Sequence, residues 1–230
     1  MIKEEDKKFI IQTLNFWDNL NSNQKELILN NVNLVHYSKG ENIHSGESNC
    51  IGMILIKKGA FRTYILSEDG REITLYRLFE NEACVLSASC VLENITFDVF
   101  IDAVEDSEVL LINSAIFKQL CDENVYVQNF SYKVTVERFS DVMWAMQQIL
   151  FMSFDQRLAI FLLDEINRNS SDVINLTHEQ IASFVGSARE VVSRMLKYFE
   201  NEGYIKLYRG KIKILSKKDL TNLVSSSISQ

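Results

Sequence analysis

Three side chains with hydrogen-bonding chemistry stand at helical spacing in the C-terminal third of the chain. Glu190, Ser193 and Arg194 occupy positions i, i+3 and i+4 of a segment without glycine or proline, so a helix places them on one face. The Arg194 guanidinium can donate two hydrogen bonds to guanine, and the Glu190 carboxylate can accept one from the amine of cytosine or adenine. Ser193 can contact a base edge or a phosphate. The pattern predicts base readout in a DNA major groove, with Val192 and Met195 turned toward the core.

Charge supports the same interpretation, because a basic patch lies on an acidic protein. The net charge is −7, yet residues 186–218 carry nine Lys and Arg against three Asp and Glu. Such a patch is typical of nucleic-acid binding, although a solvated face would have the same composition. The predicted phosphate contacts, which position a protein without reading sequence, are Thr177, His178, Ser187, Lys197, Lys211 and Lys213.

The elements that would position these residues begin with capping boxes, in which Ser or Thr pairs with Glu or Gln three residues later. Matching tetrapeptides start at Ser153, Thr177 and Ser187. A short helix 177–185 that stops at Gly186, followed at once by a second helix, predicts a helix-turn-helix. The strand-like segments 204–208 and 211–215 around Arg209-Gly210 predict a basic wing.

The rest of the chain divides into a strand-rich part and one long helix. Short strands between residues 34 and 113, with an Asp69-Gly70 hairpin turn, predict a small antiparallel roll after N-terminal helices. Residues 125–152 contain no glycine or proline and carry apolar positions at alternating spacings of three and four. This seam predicts dimerisation, although a helix packed on its own core stays an alternative. Its members are Tyr132, Thr135, Phe139, Val142, Met146 and Ile149. We predict an α+β protein with domains 1–124, 125–152 and 153–230.

Roll, long helix and winged helix in this order resemble the Crp/Fnr family of bacterial transcription regulators. Residues 176–186 and 187–197 are similar to the DNA-binding signature of that family almost residue for residue, and residues 155–159 resemble its first helix after the hinge. The resemblance implies a cyclic-nucleotide-binding-like jelly roll, a homodimer and a palindromic DNA site. It also implies RNA polymerase as a partner if the protein activates transcription.

The recognition helix resembles the Fnr branch of this family. Glu-x-x-Ser-Arg is that branch's pattern, and its half-sites look like TTGAT. Arg189, beside Glu190, is also a feature of the cyclic-AMP branch, so it joins the predicted base-reading residues and leaves the half-site open.

The effector half departs from the family pattern. A nucleotide pocket of this family needs a Gly-Glu pair and an Arg followed by Ser or Thr, and here Phe97 precedes Asp98 at the arginine position. Without a cation for a buried phosphate we expect no cyclic AMP. An Fnr-type iron–sulfur cluster needs cysteines grouped near the N-terminus. Because the first cysteine here is Cys50, we expect no such cluster. The predicted effector pocket is apolar and sulfur-bearing, which fits an unknown small molecule or thiol oxidation. Its residues are Cys84, Val85, Leu86, Cys90 and Phe97.

Other classes of protein fit the sequence less well. The three histidines, His36, His44 and His178, are gathered by no carboxylate motif, so we expect no metal site and no enzyme. Haem bound through His36, His44 or a cysteine stays open as an alternative, although the spacing of these residues does not indicate a haem site. A dimeric interaction module that does not bind DNA is the other alternative. No apolar run approaches the length of a membrane span, and the mixed-charge N-terminus lacks a signal peptide, so we expect a cytoplasmic protein with reduced cysteines.

Overall fold

A computed structural model describes residues 2–45, 51–85 and 98–225. Contacts group the chain into two compact units, one formed by Met1–Leu66 and Leu75–Val142, the other by Ser67–Thr74 and Met143–Gln230. The long helix therefore contributes residues to both units. No helix in the described ranges combines the length and apolar character needed to cross a membrane.

In the described residues, the first unit contains two four-stranded sheets with antiparallel pairing, and this confirms the predicted roll. Two helices precede the sheets, α1 (Glu4–Thr13) and α2 (Ser22–Asn30), and two follow, α3 (Ser114–Glu123) and α4 (Val125–Phe151). The strands are β1 (Val32–Tyr37), β2 (Asn42–His44), β3 (Met53–Lys58), β4 (Phe61–Leu66), β5 (Glu72–Leu78), β6 (Ala83–Cys84), β7 (Phe100–Ala103) and β8 (Ser107–Ile112). The order is β1-β8-β3-β6 in one sheet and β2-β7-β4-β5 in the other.

The first four residues of strand β3 are buried on both faces, which explains why residues 53–56 are all apolar. Successive side chains of a strand point to opposite faces. Met53 and Leu55 accordingly join the core formed with the helices, whereas Ile54 and Ile56 join the core between the sheets. The start of α4 belongs to the first of these cores through Val127, Phe130 and Val134, all buried.

The second unit is a winged helix-turn-helix, again as predicted. The elements that form it after α4 are α5 (Phe154–Asn169), β9 (Val173–Ile174), α6 (His178–Val185), α7 (Arg189–Asn201), β10 (Ile205–Tyr208), β11 (Lys211–Ile214) and α8 (Lys217–Ser225). The three strands form one sheet in the order β10-β11-β9. Leu158, Ile181, Val192, Leu196 and Phe199 are fully buried in its core. This core fixes α6 and α7 against each other.

Candidate nucleic-acid interface

Helix α6 begins in a closed capping box and ends in a tight corner. The Thr177 hydroxyl accepts from the Gln180 backbone N–H at 3.2 Å, and Gln180 Oε1 accepts from the Thr177 N–H at 3.0 Å. Gly186 ends the helix at φ +62°, in the left-handed region. The backbone N–H groups of Gly186 and Ser187 both donate to the Ala182 carbonyl oxygen. The corner therefore sets the direction in which α7 leaves.

The predicted capping box at Ser187 is wrong. Ala188 is the N-cap of α7, and no side chain in the described part of the chain caps the start of that helix. The reason is that the Ser187 N–H closes the preceding corner, which places the helix start one residue later than the pattern suggested. A helix start without a side-chain cap leaves backbone N–H groups that can bind water or a phosphate. Ser187 lies half-buried beside this start.

The outer face of α7 carries the predicted base-reading residues. Arg189, Glu190 and Arg194 are exposed, and Ser193 is half-buried. Within the described residues, no hydrogen bond or ion pair engages the side chains of Glu190 and Arg194. Arg189 lies 3.9 Å from Glu179, and both of these side chains are largely exposed. The helix thus presents an acceptor and a planar donor that are both free to bind an outside partner.

His178 does not stand alone at the start of α6. Its Nδ1 lies 2.9 Å from Ser193 Oγ, so a predicted phosphate contact and a predicted base contact are joined by a hydrogen bond. Burial lowers the pKa of His178, and the nearby Arg189 guanidinium lowers it further. Because the ordinary value is near 6.5, His178 is neutral at pH 7.

The wing places lysines on one face and apolar side chains on the other. Lys206 pairs across the hairpin with Lys213, and Tyr208 pairs with Lys211, so these four residues share the exposed face. Lys211 and Lys213 were predicted phosphate contacts. Lys206 was not predicted as a phosphate contact, although the alternation of apolar and polar residues in Ile205–Tyr208 already places it on the exposed face of the wing.

Glu200 ties two of the lysines to the protein itself. Its carboxylate lies 2.8 Å from Lys197 Nζ and 3.5 Å from Lys206 Nζ, and it accepts a hydrogen bond from the Leu207 backbone N–H. The Lys197 hydrogen bond, the backbone N–H and both positive charges lower the pKa of Glu200 to about 2. Lys197, a predicted phosphate contact, is therefore paired within the protein while its side chain stays mostly exposed.

A cleft lies between the start of α6 and the wing. It has a volume of 440 Å³, and its lining includes Thr177, His178, Arg189, Tyr208 and Lys211. Two cations, the Glu179 carboxylate, a neutral imidazole and the first turn of a helix thus face one concave surface. These groups suit an anionic backbone such as that of DNA.

Along α4 an apolar stripe is exposed. Tyr132, Phe139, Met146 and Ile149 of the predicted seam are exposed by 55%, 63%, 46% and 41%. Val142 is half-buried against the core between the sheets, and Thr135 is half-buried with its hydroxyl donating to the Ser131 carbonyl. The exposed members missing from the prediction are Val136, Met143 and Leu150. They continue the stripe at the complementary spacings of four and three.

Comparisons with known proteins agree with this architecture. Residues 34–124 match the cyclic nucleotide-binding domain, and residues 156–223 match the Crp-like helix-turn-helix domain. A solved transcriptional regulator of the crp/fnr family from Eubacterium rectale is 46% identical, with 94% of this chain and 100% of that chain covered and a TM-score of 0.87. The chain belongs to the Crp/Fnr family. It is accordingly a DNA-binding transcription regulator, and this family consists of regulators rather than enzymes.

Two curated relatives extend the comparison of this Crp/Fnr regulator. The match to the transcriptional regulator SdrP of Thermus thermophilus is local, 41% identical over 54 residues, and spans 24% of this chain and 27% of that protein. The cyclic AMP receptor protein of Thermus thermophilus is 23% identical over 162 residues, which are 70% of this chain and 74% of that protein.

In the roll of this Crp/Fnr regulator, only part of the predicted effector pocket falls in the described ranges. Cys84 and Val85 are both buried, whereas Leu86, Cys90 and Phe97 lie outside the described residues. Asp98 is exposed, and its charge acts on His44, whose pKa is lowered by burial. Cys121 is buried as well, and burial raises the pKa of its thiol to about 11.

A charged cluster between α4 and the segment before β6 was not predicted from the sequence. Arg138 of α4 is 12% exposed, and its guanidinium lies 3.6 Å from Glu82 and 2.9 Å from Asp141. It also stands 5.3 Å from the centroid of the Tyr76 ring. Burial raises the pKa values of Glu82 and Asp141, and the Arg138 charge opposes that rise.

Proposed function

We propose that this protein binds as a homodimer to a palindromic DNA site with TTGAT-like half-sites, in the cytoplasm. The observation that carries the proposal is the face of α7, where Glu190 and Arg194 are exposed, four residues apart and unengaged within the described part of the chain. Arg194 would donate to a guanine, and Glu190 would accept from the amine of a neighbouring cytosine or adenine. Arg189 and Ser193 complete the reading face.

Phosphate contacts would come from the rim of this face. Thr177, His178 and Lys211 line the cleft beside α6, and Lys213 extends the exposed face of the wing. These residues would set the register of the protein on the duplex without adding sequence preference. Ser187 beside the uncapped start of α7 and Lys197 beside Glu200 would add two further contacts.

Dimerisation would use the exposed stripe of α4. In a symmetric dimer the same stripe of each protomer faces its copy, which removes exposed aromatic and sulfur-bearing side chains from water. Two copies of α7 would then meet two half-sites about one turn of DNA apart. RNA polymerase would be a further partner if the protein activates transcription.

The signal that controls the protein would reach the roll and would not be a cyclic nucleotide. The Arg138 guanidinium is already paired with Glu82 and Asp141, so it offers no uncommitted positive charge to a phosphate. Two carboxylates beside one guanidinium would repel an anion. An apolar small molecule, or oxidation of a cysteine, fits the roll better. Cys84 itself is fully buried, which favours the small molecule.

Binding measurements with two variants test the reading of DNA. Arg194→Ala should cost about 1–3 kcal/mol and relax the preference at a single base pair. Lys213→Ala should weaken binding to all sequences alike and lower the salt slope by about one unit. Affinities for a TTGAT palindrome and a scrambled duplex at several salt concentrations separate these effects. Equal losses on both duplexes for Arg194→Ala would overturn its assignment as a base contact.

Native mass spectrometry with a visible absorption spectrum of freshly purified protein tests the effector. A co-purifying small molecule of defined mass would support the proposal. A Soret band would instead favour the haem alternative, and a mass increase of one or two oxygen atoms would favour cysteine oxidation.

A further inference from the structure

The hydrogen bond between His178 and Ser193 decides what Ser193 can offer to a base. His178 is the first residue of α6, Ser193 lies one turn into α7, and their side chains meet at 2.9 Å between Nδ1 and Oγ. A serine hydroxyl has one proton to donate and two lone pairs to accept with. If the Ser193 hydroxyl donates its hydrogen bond to His178, the Ser193 oxygen can only accept hydrogen bonds from DNA. If His178 donates instead, the Ser193 proton is free.

The surroundings of the imidazole select between these two arrangements when DNA is bound. Burial and the Arg189 charge lower the pKa of His178, so the ring carries a single proton at neutral pH. Nε2 has no partner among the described residues, and the ring lines the cleft together with Glu179, Arg189, Tyr208 and Lys211. A DNA phosphate drawn to Lys211 would accept a hydrogen bond from Nε2–H. The single proton then resides on Nε2, and Nδ1 is left as a bare acceptor.

We propose that His178 is a positioning residue that links a phosphate contact to base readout. The phosphate holds the imidazole proton on Nε2, and Nδ1 accepts a hydrogen bond from the Ser193 hydroxyl. The Ser193 oxygen in turn accepts a hydrogen bond from the exocyclic amine of adenine or cytosine. This inference rests on the proposed DNA-binding function. It adds that the chain of hydrogen bonds fixes the polarity of Ser193, so this side chain reads an amine and rejects a carbonyl oxygen at the same place.

The alternative role for His178 is that of a simple phosphate contact, and the two roles predict different effects of removing the side chain. A phosphate contact carries no sequence information, so its loss weakens all duplexes by one factor. A positioning residue for Ser193 alters the preference at the one base pair that Ser193 reads. In addition, a neutral donor displaces no counterion, whereas a cationic contact contributes about one unit to the salt slope.

The experiment uses the full chain and a set of palindromes in which every half-site position carries each of the four base pairs in turn. Fluorescence anisotropy at pH 7.5 gives the affinities of wild type, His178→Ala, Ser193→Ala and the double variant. Lys213→Ala serves as the matched control for a phosphate contact. Thermal melting of each variant shows that it is folded.

We expect Ser193→Ala and His178→Ala to lose preference at the same base pair, by about fivefold, the low end for a base contact. The double variant should lose no more preference there than Ser193→Ala alone, and the salt slope of His178→Ala should match that of wild type. Replacing the adenine or cytosine of that base pair by an analogue without the exocyclic amine, purine or pyrimidin-2-one, should lower the affinity of wild type by the same factor and leave that of Ser193→Ala unchanged. Lys213→Ala should keep every preference and lose about one unit of slope.

Three results would overturn the inference while leaving the proposed function intact. They are an unchanged base preference in folded His178→Ala, additive losses in the double variant, and an undiminished affinity of wild type for the duplex whose base analogue lacks the exocyclic amine. Failure of the wild type to prefer any palindrome over a scrambled duplex is a different outcome, since it would remove the proposed function itself.

Discussion

Replacing Phe139 and Met146 with glutamate should convert the protein into a monomer. Both side chains lie on the exposed stripe of α4, 63% and 46% exposed. A fully buried Phe or Met contributes about 1.5–3 kcal/mol, so burying these exposed fractions contributes about 2 and about 1 kcal/mol. Two protomers together give about 6 kcal/mol as an upper bound, which corresponds to about four orders of magnitude in the dimer dissociation constant. Unpaired carboxylates buried at the seam would add to this loss.

Sedimentation velocity over a range of protein concentrations measures the effect directly. The matched control is Lys133→Glu with Ser140→Glu, which introduces the same residue type at the same seven-residue spacing on α4. Both control positions are exposed and turned away from the stripe. The control should sediment like wild type although its charge changes more.

The stability of each protomer separates loss of dimerisation from loss of folding. Neither Phe139 nor Met146 is buried in the described chain, so circular dichroism should show native helix content in the glutamate variant. Anisotropy should then show that the glutamate variant binds the palindrome more weakly than wild type does, because a monomer engages only one half-site. A folded Phe139→Glu, Met146→Glu variant that still sediments as a dimer would refute the assignment of the stripe as the interface.

Gly186→Ala should lower the melting temperature of the protein, because φ +62° costs a non-glycine residue about 1–2 kcal/mol and no atom within 4 Å of the new Cβ offsets it; an unchanged melting temperature would contradict the role of this corner. Glu200→Gln should release Lys197 and Lys206, raise affinity for scrambled DNA and steepen its salt dependence. Because the folded pKa of Glu200, about 2, lies below its ordinary value, its contribution to stability is present above pH 4 to 5 and is lost as the pH falls toward 2, so Glu200→Gln should flatten acid unfolding in that range. Titration calorimetry with excess cyclic AMP should give no saturable heat, and a clear isotherm would contradict the argument from Arg138, Glu82 and Asp141.

Local patterns predicted the DNA-binding half well because its signals are local. The Thr177 capping box, the left-handed Gly186 and the alternation of Lys211 and Lys213 each depend on neighbours within four residues. The same holds for the general course of α4 and for the longer strands of the roll. Two short strands of the roll, β2 and β6, were not predicted, because two or three residues carry too little periodicity to stand out from a loop.

The error at Ser187 shows where a local pattern reaches its limit. Ser-x-x-Glu occurs there as it does at a true helix start, but the Ser187 N–H is engaged by the Ala182 carbonyl of the preceding helix. Because the Ser187 N–H is engaged there, it is not available to the Glu190 side chain, and the reciprocal hydrogen bond of a capping box is lost. In a corner this tight the end of α6 and the start of α7 share the same residues. The Ser-x-x-Glu pattern describes the start of α7 and carries no information about the end of α6.

The polar contacts that give the site its chemistry depend on the fold rather than on spacing. His178 and Ser193 are fifteen residues apart and meet only because Gly186 turns α7 back across α6. Arg138 and Glu82 are farther apart still, and they meet because β5, β6 and α4 converge on one core. His178 and Ser193 were each predicted to contact DNA, and the ion pair of Arg138 was not predicted at all, since a pattern read along one element gives no information about the partner on another. The hydrogen bond at Ser193 therefore changes the expected reading of the DNA, from a hydroxyl that can contact any base edge to an acceptor that requires an amine.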